Sequence, residues 1–258
     1  MWIDTHAHLG EVEFDNDRPQ VMANARAAQL EKICLIGSDR LGAERALRLA
    51  QTDDLFDCAI GFHPIEAHTH SEADIAWMFE RIQTAQLVAI GEIGLDYHWQ
   101  KDPAIQATQR ELFVRQLHWA ETLKLPVIVH SRDAMDDTYT ILAQHAPTRK
   151  GIMHCFSGSA EMAQRFVDLG FFISLAGPLT FPNARMPKDV AQRIDVEHLM
   201  IETDSPYLAP QTVRGQRNEP AHVVQVAKAL AELKGLSEAS LQAHLRSNYL
   251  RFVARASV

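Results

Sequence analysis

The stretch AIQATQRELFVRQLHWAETLKLPVIVHSRDAMDDTYTILAQHAPTRKGIMH, residues 104–154, holds the unit from which the chain is built. Residues 104–123 carry apolar side chains at helical spacing, and Pro126-Val127-Ile128-Val129-His130 is a short apolar run closed by a polar residue. Residues 133–145 are helical again, and Gly151-Ile152-Met153-His154 repeats the short run with a histidine at its end. Long segments of helical period read as amphipathic helices, and short apolar runs between them read as buried strands.

The same alternation extends in both directions. Toward the N-terminus it passes through the strand Leu87-Val88-Ala89-Ile90-Gly91-Glu92, helical 72–84, strand 56–61, helical 41–51, the strand Lys32-Ile33-Cys34-Leu35-Ile36-Gly37 and helical 18–29. It begins at Met1-Trp2-Ile3-Asp4-Thr5-His6-Ala7-His8. Toward the C-terminus follow helical 160–169, the strand Phe171-Phe172-Ile173-Ser174-Leu175, a short helix 187–193 and the strand Leu199-Met200-Ile201-Glu202-Thr203-Asp204. Helices over 219–234 and 238–252 close the chain. Eight strand–helix units predict a parallel sheet closed into a (β/α)8 TIM barrel, with 1–258 as one domain. The strands are apolar nearly throughout, as expected when helices cover the outer face of a sheet. A doubly wound open sheet would call for a Gly-rich phosphate loop after the first strand, where this chain has His6 and His8.

Composition agrees with an enzyme of this size. The chain has 258 residues, 47% hydrophobic and 22% charged, and no apolar run long enough to span a bilayer. Asp4 and His6 interrupt the N-terminus where a signal peptide would need an apolar core, so a cytoplasmic protein with no membrane association is expected. Cys34, Cys58 and Cys155 form no C-x-x-C pair and sit in apolar segments, as buried reduced thiols do. A formal charge of −8 argues against a wide basic surface coating duplex DNA. It leaves room for a cleft that grips one or two phosphates, because bound cations reverse the local sign.

In such barrels the active site lies at the C-terminal ends of the strands. There the sequence places His6 and His8, His63, Glu92, His130, His154 and Asp204, each directly behind an apolar run. His6 and His8 are two apart, so in an extended strand they face one side together. Buried imidazoles and carboxylates are costly without partners, and metal coordination is the simplest common partner for several at one mouth. His6, His8, Glu92, His130, His154 and Asp204 are the candidate ligands. One zinc takes about four, so six suggest two divalent ions sharing Glu92, with zinc, manganese or magnesium compatible with the donors.

Six segments carry a resemblance. They are Asp4-Thr5-His6-Ala7-His8, Gly61-Phe62-His63-Pro64, Gly91-Glu92-Ile93-Gly94-Leu95-Asp96, His130-Ser131-Arg132, His154-Cys155-Phe156-Ser157-Gly158 and Glu202-Thr203-Asp204-Ser205-Pro206-Tyr207-Leu208. In this order, from residue 2 to about residue 220, they resemble the TatD family, metal-dependent deoxyribonucleases among the amidohydrolase-like metal hydrolases. The resemblance implies the same six ligands and DNA as substrate.

The expected chemistry is two-metal phosphodiester hydrolysis. One ion would lie with His6, His8 and Asp204, the other with His130 and His154, and Glu92 would bridge them. A hydroxide between ions roughly 3.5–4 Å apart would attack phosphorus. Asp204 is expected to take the water's proton, or to act as ligand only. His63 is expected to hydrogen-bond a non-bridging oxygen or protonate the leaving group. Arg132, Arg214 and Arg217 are candidate phosphate contacts, the last two in the Gly-containing loop after strand eight, where barrels often bind phosphate. Asp4 is expected to support a neighbouring ligand or to make a plain structural hydrogen bond. Tyr97, His98, Trp99 and Tyr207 are candidates for stacking on a base.

Short or single-stranded DNA ends are the expected partner, and no obligate protein partner is evident. The competing enzyme is a small-molecule amidohydrolase or lactonase, since the same hydroxide attacks carbon. Many such relatives bridge their metals with a carboxylated lysine, and strand four here offers Glu92 and no lysine. A non-catalytic barrel stabilised by metal is the third reading. It would want a closed tetrahedral site rather than six ligands at an open mouth.

Overall fold

Eight parallel strands pair in chain order in a computed structural model that describes residues 1–254 and 256. Of the span 1–258 expected to form one domain, Arg255, Ser257 and Val258 lie outside the described residues. The strands are β1 Trp2–Ala7, β2 Leu30–Gly37, β3 Phe56–Ile60, β4 Ala89–Asp96, β5 Val127–Arg132, β6 Gly151–Met153, β7 Phe172–Leu175 and β8 Leu199–Ile201. Helices α1 Arg18–Ala27, α2 Arg40–Ala50, α3 Glu72–Thr84, α4 Pro103–Leu123, α5 Met135–His145, α6 Ala160–Asp168 and α7 Arg185–Arg193 connect successive strands. After β8 come α8 Val223–Lys234 and α9 Glu238–Ala254.

The sheet closes through the backbone just beyond β8. Ala7 forms a parallel bridge with Ser205. The Asp204 amide donates to the His6 carbonyl at 2.9 Å, and the His8 amide donates to the Ser205 carbonyl at 2.8 Å. The seam therefore runs through the residues that carry His6, His8 and Asp204, which are two candidate ligands and a third drawn from opposite ends of the chain.

Two apolar layers hold the barrel. The larger lies between strands and helices, from Trp2 and Leu9 through Phe113 and Phe166 to Leu245. The smaller takes at least one residue from every strand: Ile3, Cys34, Ile36, Ala59, Ala89, Ile128, Ile152, Phe172 and Met200. Tyr249 and Phe252 of α9 join this inner cluster, so the final helix plugs the barrel end opposite the strand C-termini. The interior is a packed core rather than a pore.

Several boundaries depart from the sequence reading, among them β5, which was expected to end at His130 and runs on to Arg132. β4 runs on to Asp96, so Glu92 lies inside the strand and not at its end, beside a register shift between Ile90 and Ile93. β8 stops at Ile201, which leaves Glu202 to Asp204 as the connection that seals the seam. The helix expected from residue 219 begins at Val223, after a single tight turn at Pro220–His222.

Candidate metal centre

Strand parity carries inner-core positions up to the site. Ile128, Ile152 and Met200 belong to the inner cluster, so His130, His154 and Glu202, each two residues on, point into the barrel mouth. β1 and β4 break parity through register shifts between Asp4 and Ala7 and between Ile90 and Ile93. Those irregularities aim His6 and Glu92 inward where strict alternation would not. Gly94 completes the arrangement. Its φ is +141°, and a Cβ there would lie 2.0 Å from the His130 carbonyl oxygen, so only glycine lets β4 and β5 close at this point.

Glu92 is the hub. Its Oε2 faces His6 Nε2 at 3.4 Å and His8 Nε2 at 3.6 Å. Its Oε1 faces His130 Nδ1 and His154 Nε2, both at 2.8 Å, and His63 Nε2 at 3.5 Å. Asp204 Oδ1 completes the first group, 3.6 Å from His6 Nε2 and 3.5 Å from His8 Nε2. The structure thus brings all six candidate ligands and His63 together, and Glu92 divides them by oxygen.

The donor set fits divalent cations. Five imidazoles address one buried carboxylate, and His6 Nε2 stands 3.2 Å from His8 Nε2. Two carboxylate oxygens cannot give every one of these nitrogens a well-aligned hydrogen bond. A cation in each group would use the lone pairs directly.

Two carboxylates that sequence reasoning left without a role fasten the imidazoles from behind. Glu202 Oε1 accepts from His154 Nδ1 at 2.9 Å and from the Cys155 amide at 2.8 Å. Asp96 Oδ2 accepts from His130 Nε2 at 3.1 Å, while its Oδ1 accepts from the amides of His98 and Trp99. The signal for Glu202 was the parity from Met200, which outlasts the strand itself. Asp4 does not touch an imidazole. It accepts from the His6 amide and from the Thr203 amide and hydroxyl, joining β1 to the closing segment, and burial pushes its pKa up to about 8. The plain structural alternative for Asp4 is the one observed.

Protonation follows the same geometry. Burial pushes the Glu92 carboxyl up, but the surrounding imidazoles, His154 foremost, and a hydrogen bond from His130 hold it well below the usual range. Burial also opposes ionisation of Asp204, and His8, His154 and His6 outweigh it. Burial disfavours the charged form of His154, yet Glu92 and Glu202 carry its pKa well above that of a free imidazole. Asp204 has a left-handed backbone, φ 57°, a conformation aspartate tolerates better than most residues.

The family described as TatD related DNase matches residues 3–254. The chain belongs to the TatD family of metal-dependent hydrolases. It is 44% identical over 238 residues to the uncharacterized metal-dependent hydrolase YabD of Bacillus subtilis, covering 92% of each chain. It is 36% identical over 256 residues to YcfH of Escherichia coli, covering 96% of this chain and 94% of that one. The crystal structure of YjjV, a TatD homologue from Escherichia coli K12, superposes with a TM-score of 0.91 at 33% identity and 97% coverage of both chains. Organophosphorus hydrolase from Deinococcus radiodurans shares the fold, with a TM-score of 0.68 at 14% identity.

Around this TatD-family centre the arginines differ in availability. Arg217 is committed. Both its terminal nitrogens bond the Asp17 carboxylate, at 2.9 and 2.6 Å, and its guanidinium lies over Phe14. It ties the loop after β8 to the loop after β1. Arg132 and Arg214 are exposed and stack on rings, Arg132 over Trp99 at 5.5 Å and Arg214 over Phe181 at 5.7 Å. Tyr97 is held by its hydroxyl to Asp137 and Arg110, and His98 pairs with Asp133. The three cysteines are free thiols; Cys34 and Cys58 are buried and Cys155 is half-buried. Among the described residues no helix is long and apolar enough to cross a membrane.

His63 gives this TatD site a pH signature. Its Nδ1 accepts from the Ile65 amide at 3.2 Å, so the ring proton sits on Nε2. Burial depresses its pKa to about 3. The folded protein therefore keeps His63 neutral while the unfolded chain takes up a proton below about pH 6.5. That contribution to stability is present above about pH 6.5 and is lost as pH falls toward the folded value. In chelator-treated protein, His63→Gln is expected to gain about 2 kcal/mol relative to wild type between about pH 7 and about pH 5. Urea unfolding at the two pH values measures this, and a wild-type-to-variant difference that does not change with pH refutes it.

Proposed function

We propose that this chain is a two-metal phosphodiesterase that hydrolyses DNA, with short or single-stranded ends as substrate. The observation that supports the reading is the division of Glu92, Oε2 toward His6 and His8 and Oε1 toward His130 and His154. His6, His8 and Asp204 would hold one ion, His130 and His154 the other, with Glu92 between them. Zinc, manganese and magnesium all suit these donors. Bound there, two such ions would lower the pKa of a water molecule and neutralise charge on phosphoryl oxygens.

The remaining steps fall to the protein's own groups. Asp204, held as a carboxylate, accepts the proton of the attacking water. His63 presents Nε2–H to a non-bridging oxygen. Because the ring is neutral, this hydrogen-bond role suits it better than proton donation to the leaving group. Arg132 and Arg214 are free to meet flanking phosphates bidentately, while Arg217 first serves its partner Asp17. The family description, TatD related DNase, supports nucleic acid as the substrate class.

Metal-reconstituted protein assayed on single-stranded DNA, duplex DNA with an abasic site, RNA, a generic phosphodiester, an amide and a lactone tests the reading. DNA hydrolysis that chelation abolishes and divalent ions restore is expected. Turnover confined to the amide or the lactone overturns it.

A further inference from the structure

Few large apolar side chains are exposed among the described residues, and they are unevenly placed. Of these eight, Val12, Trp99, Tyr207 and Leu208 lie in the connections that follow strand C-termini, around the mouth, and Met186 lies in the first turn of α7 after β7. The two aromatics stand out. Trp99 is 61% exposed and Tyr207 is 53% exposed, whereas Trp2, Trp119 and Tyr249 are buried in the core. An exposed indole beside an active site forgoes the burial that favours aromatic side chains elsewhere in the chain.

Both rings are fixed to the candidate metal centre through their own backbones. The Tyr207 amide donates to the Asp204 carbonyl at 2.9 Å, and the ring stands edge-on to His8 with centroids 5.9 Å apart. The Trp99 amide donates to Asp96 Oδ1 at 3.0 Å, and the other oxygen of that carboxylate holds His130. Tyr207 thus stands on the His8 side of Glu92 and Trp99 on the His130 side. The Arg132 guanidinium lies over the Trp99 ring, 5.5 Å from its centroid, which places a cation on one π-face of that ring.

Resting on the phosphodiesterase reading, we propose that Tyr207 and Trp99 form a pair of base-stacking platforms. A phosphodiester at Glu92 has a nucleoside on either side, one for each ring. Bases of a duplex are already stacked and paired, so only a frayed end or a single strand can present them. Arg132 then meets the phosphate next to the base on Trp99. The arrangement selects unpaired nucleic acid by its bases without reading their edges, since every base has a π-face.

Two probes of equal charge separate stacking from phosphate attraction: a thymidine tetranucleotide and the same backbone with abasic residues. With metal-loaded enzyme the abasic probe is expected to show a KM about tenfold higher. Trp99→Ala and Tyr207→Ala are each expected to raise KM for the thymidine probe roughly fivefold or more and to shrink the difference between probes. Trp99→Phe and Tyr207→Phe are expected to retain most of it. The thymidine probe is also expected to quench tryptophan fluorescence, an effect that Trp99→Phe removes. Equal KM for the two probes in wild type, or full discrimination in both alanine variants, overturns the proposal while leaving phosphodiester hydrolysis standing. If neither probe is cleaved, the hydrolytic reading falls, and base-dependent quenching alone decides whether the platforms exist.

Discussion

Glu92→Gln is expected to lower kcat/KM by more than about 100-fold, because groups behind a ligand already cost about 10–100-fold when removed and Glu92 stands between both ligand sets. The substitution changes little in volume. It replaces one acceptor oxygen by an NH2 group, which must face either His6 and His8 or His130 and His154. Both sets lose the anion, and the set that meets the NH2 group also loses an acceptor, so the metal content of the isolated protein is expected to fall by at least one ion per chain.

The metal-free variant should also be weaker. Glu92 is held well below the usual carboxylate range, and His154 well above the usual imidazole range, by their mutual attraction after burial has opposed both. Removing one partner of a buried pair costs about 3–5 kcal/mol. For Glu92 the folded pKa is depressed, so its contribution is present above the ordinary carboxylate range and lost as pH falls below it. For His154 the folded pKa is raised, so its contribution is present below about pH 6.5 and lost as pH rises through the folded value. The difference between wild type and Glu92→Gln should therefore be largest in the window between. Metal analysis and steady-state kinetics on the reconstituted proteins, with urea unfolding after chelation, measure all three effects. A variant with full metal content and turnover within about tenfold of wild type would remove Glu92 from its central place.

The barrel was legible in the chain because its signal is repetitive. Short apolar runs such as Val127-Ile128-Val129 alternate with helical segments, and each run needs helices on its outer side. The gathering of polar residues at the mouth was legible for a related reason: a polar residue directly after an apolar run, as at His130 and His154, falls near the C-terminal end of its strand, although β5 runs two residues past His130. What escaped depends on geometry that spacing does not encode. β4 continues to Asp96, so Glu92 enters the mouth from within a strand, through a register shift that no periodicity announces. Spacing also does not say which ring nitrogen serves: His130 offers Nδ1 to Glu92, whereas His154 offers Nε2. The availability of Arg217 depends on Asp17, 200 residues away in sequence, and only the closed barrel brings the two together.

Glu202 shows how a residue can be readable and still be passed over. Met200 lies in the inner core, so parity sends Glu202 into the mouth even though β8 ends at Ile201. Its side chain is fully buried and holds His154 Nδ1 and the Cys155 amide on one oxygen. By accepting the Nδ1 proton it leaves Nε2 of His154 to face Glu92 and any cation beside it. Glu202→Gln keeps one acceptor oxygen and the same volume, so the fold is expected to survive. The amide lacks the negative charge that raises the basicity of His154, and metal affinity is expected to drop about 10–100-fold, measured by competition with a chelator. At saturating metal, kcat should return to within a few-fold of wild type, because Glu202 is buried behind His154 and is expected to act through that ring. Unchanged affinity would reduce Glu202 to a packing group. Turnover that stays more than about 100-fold down with the sites filled would mean that it acts on the reaction itself.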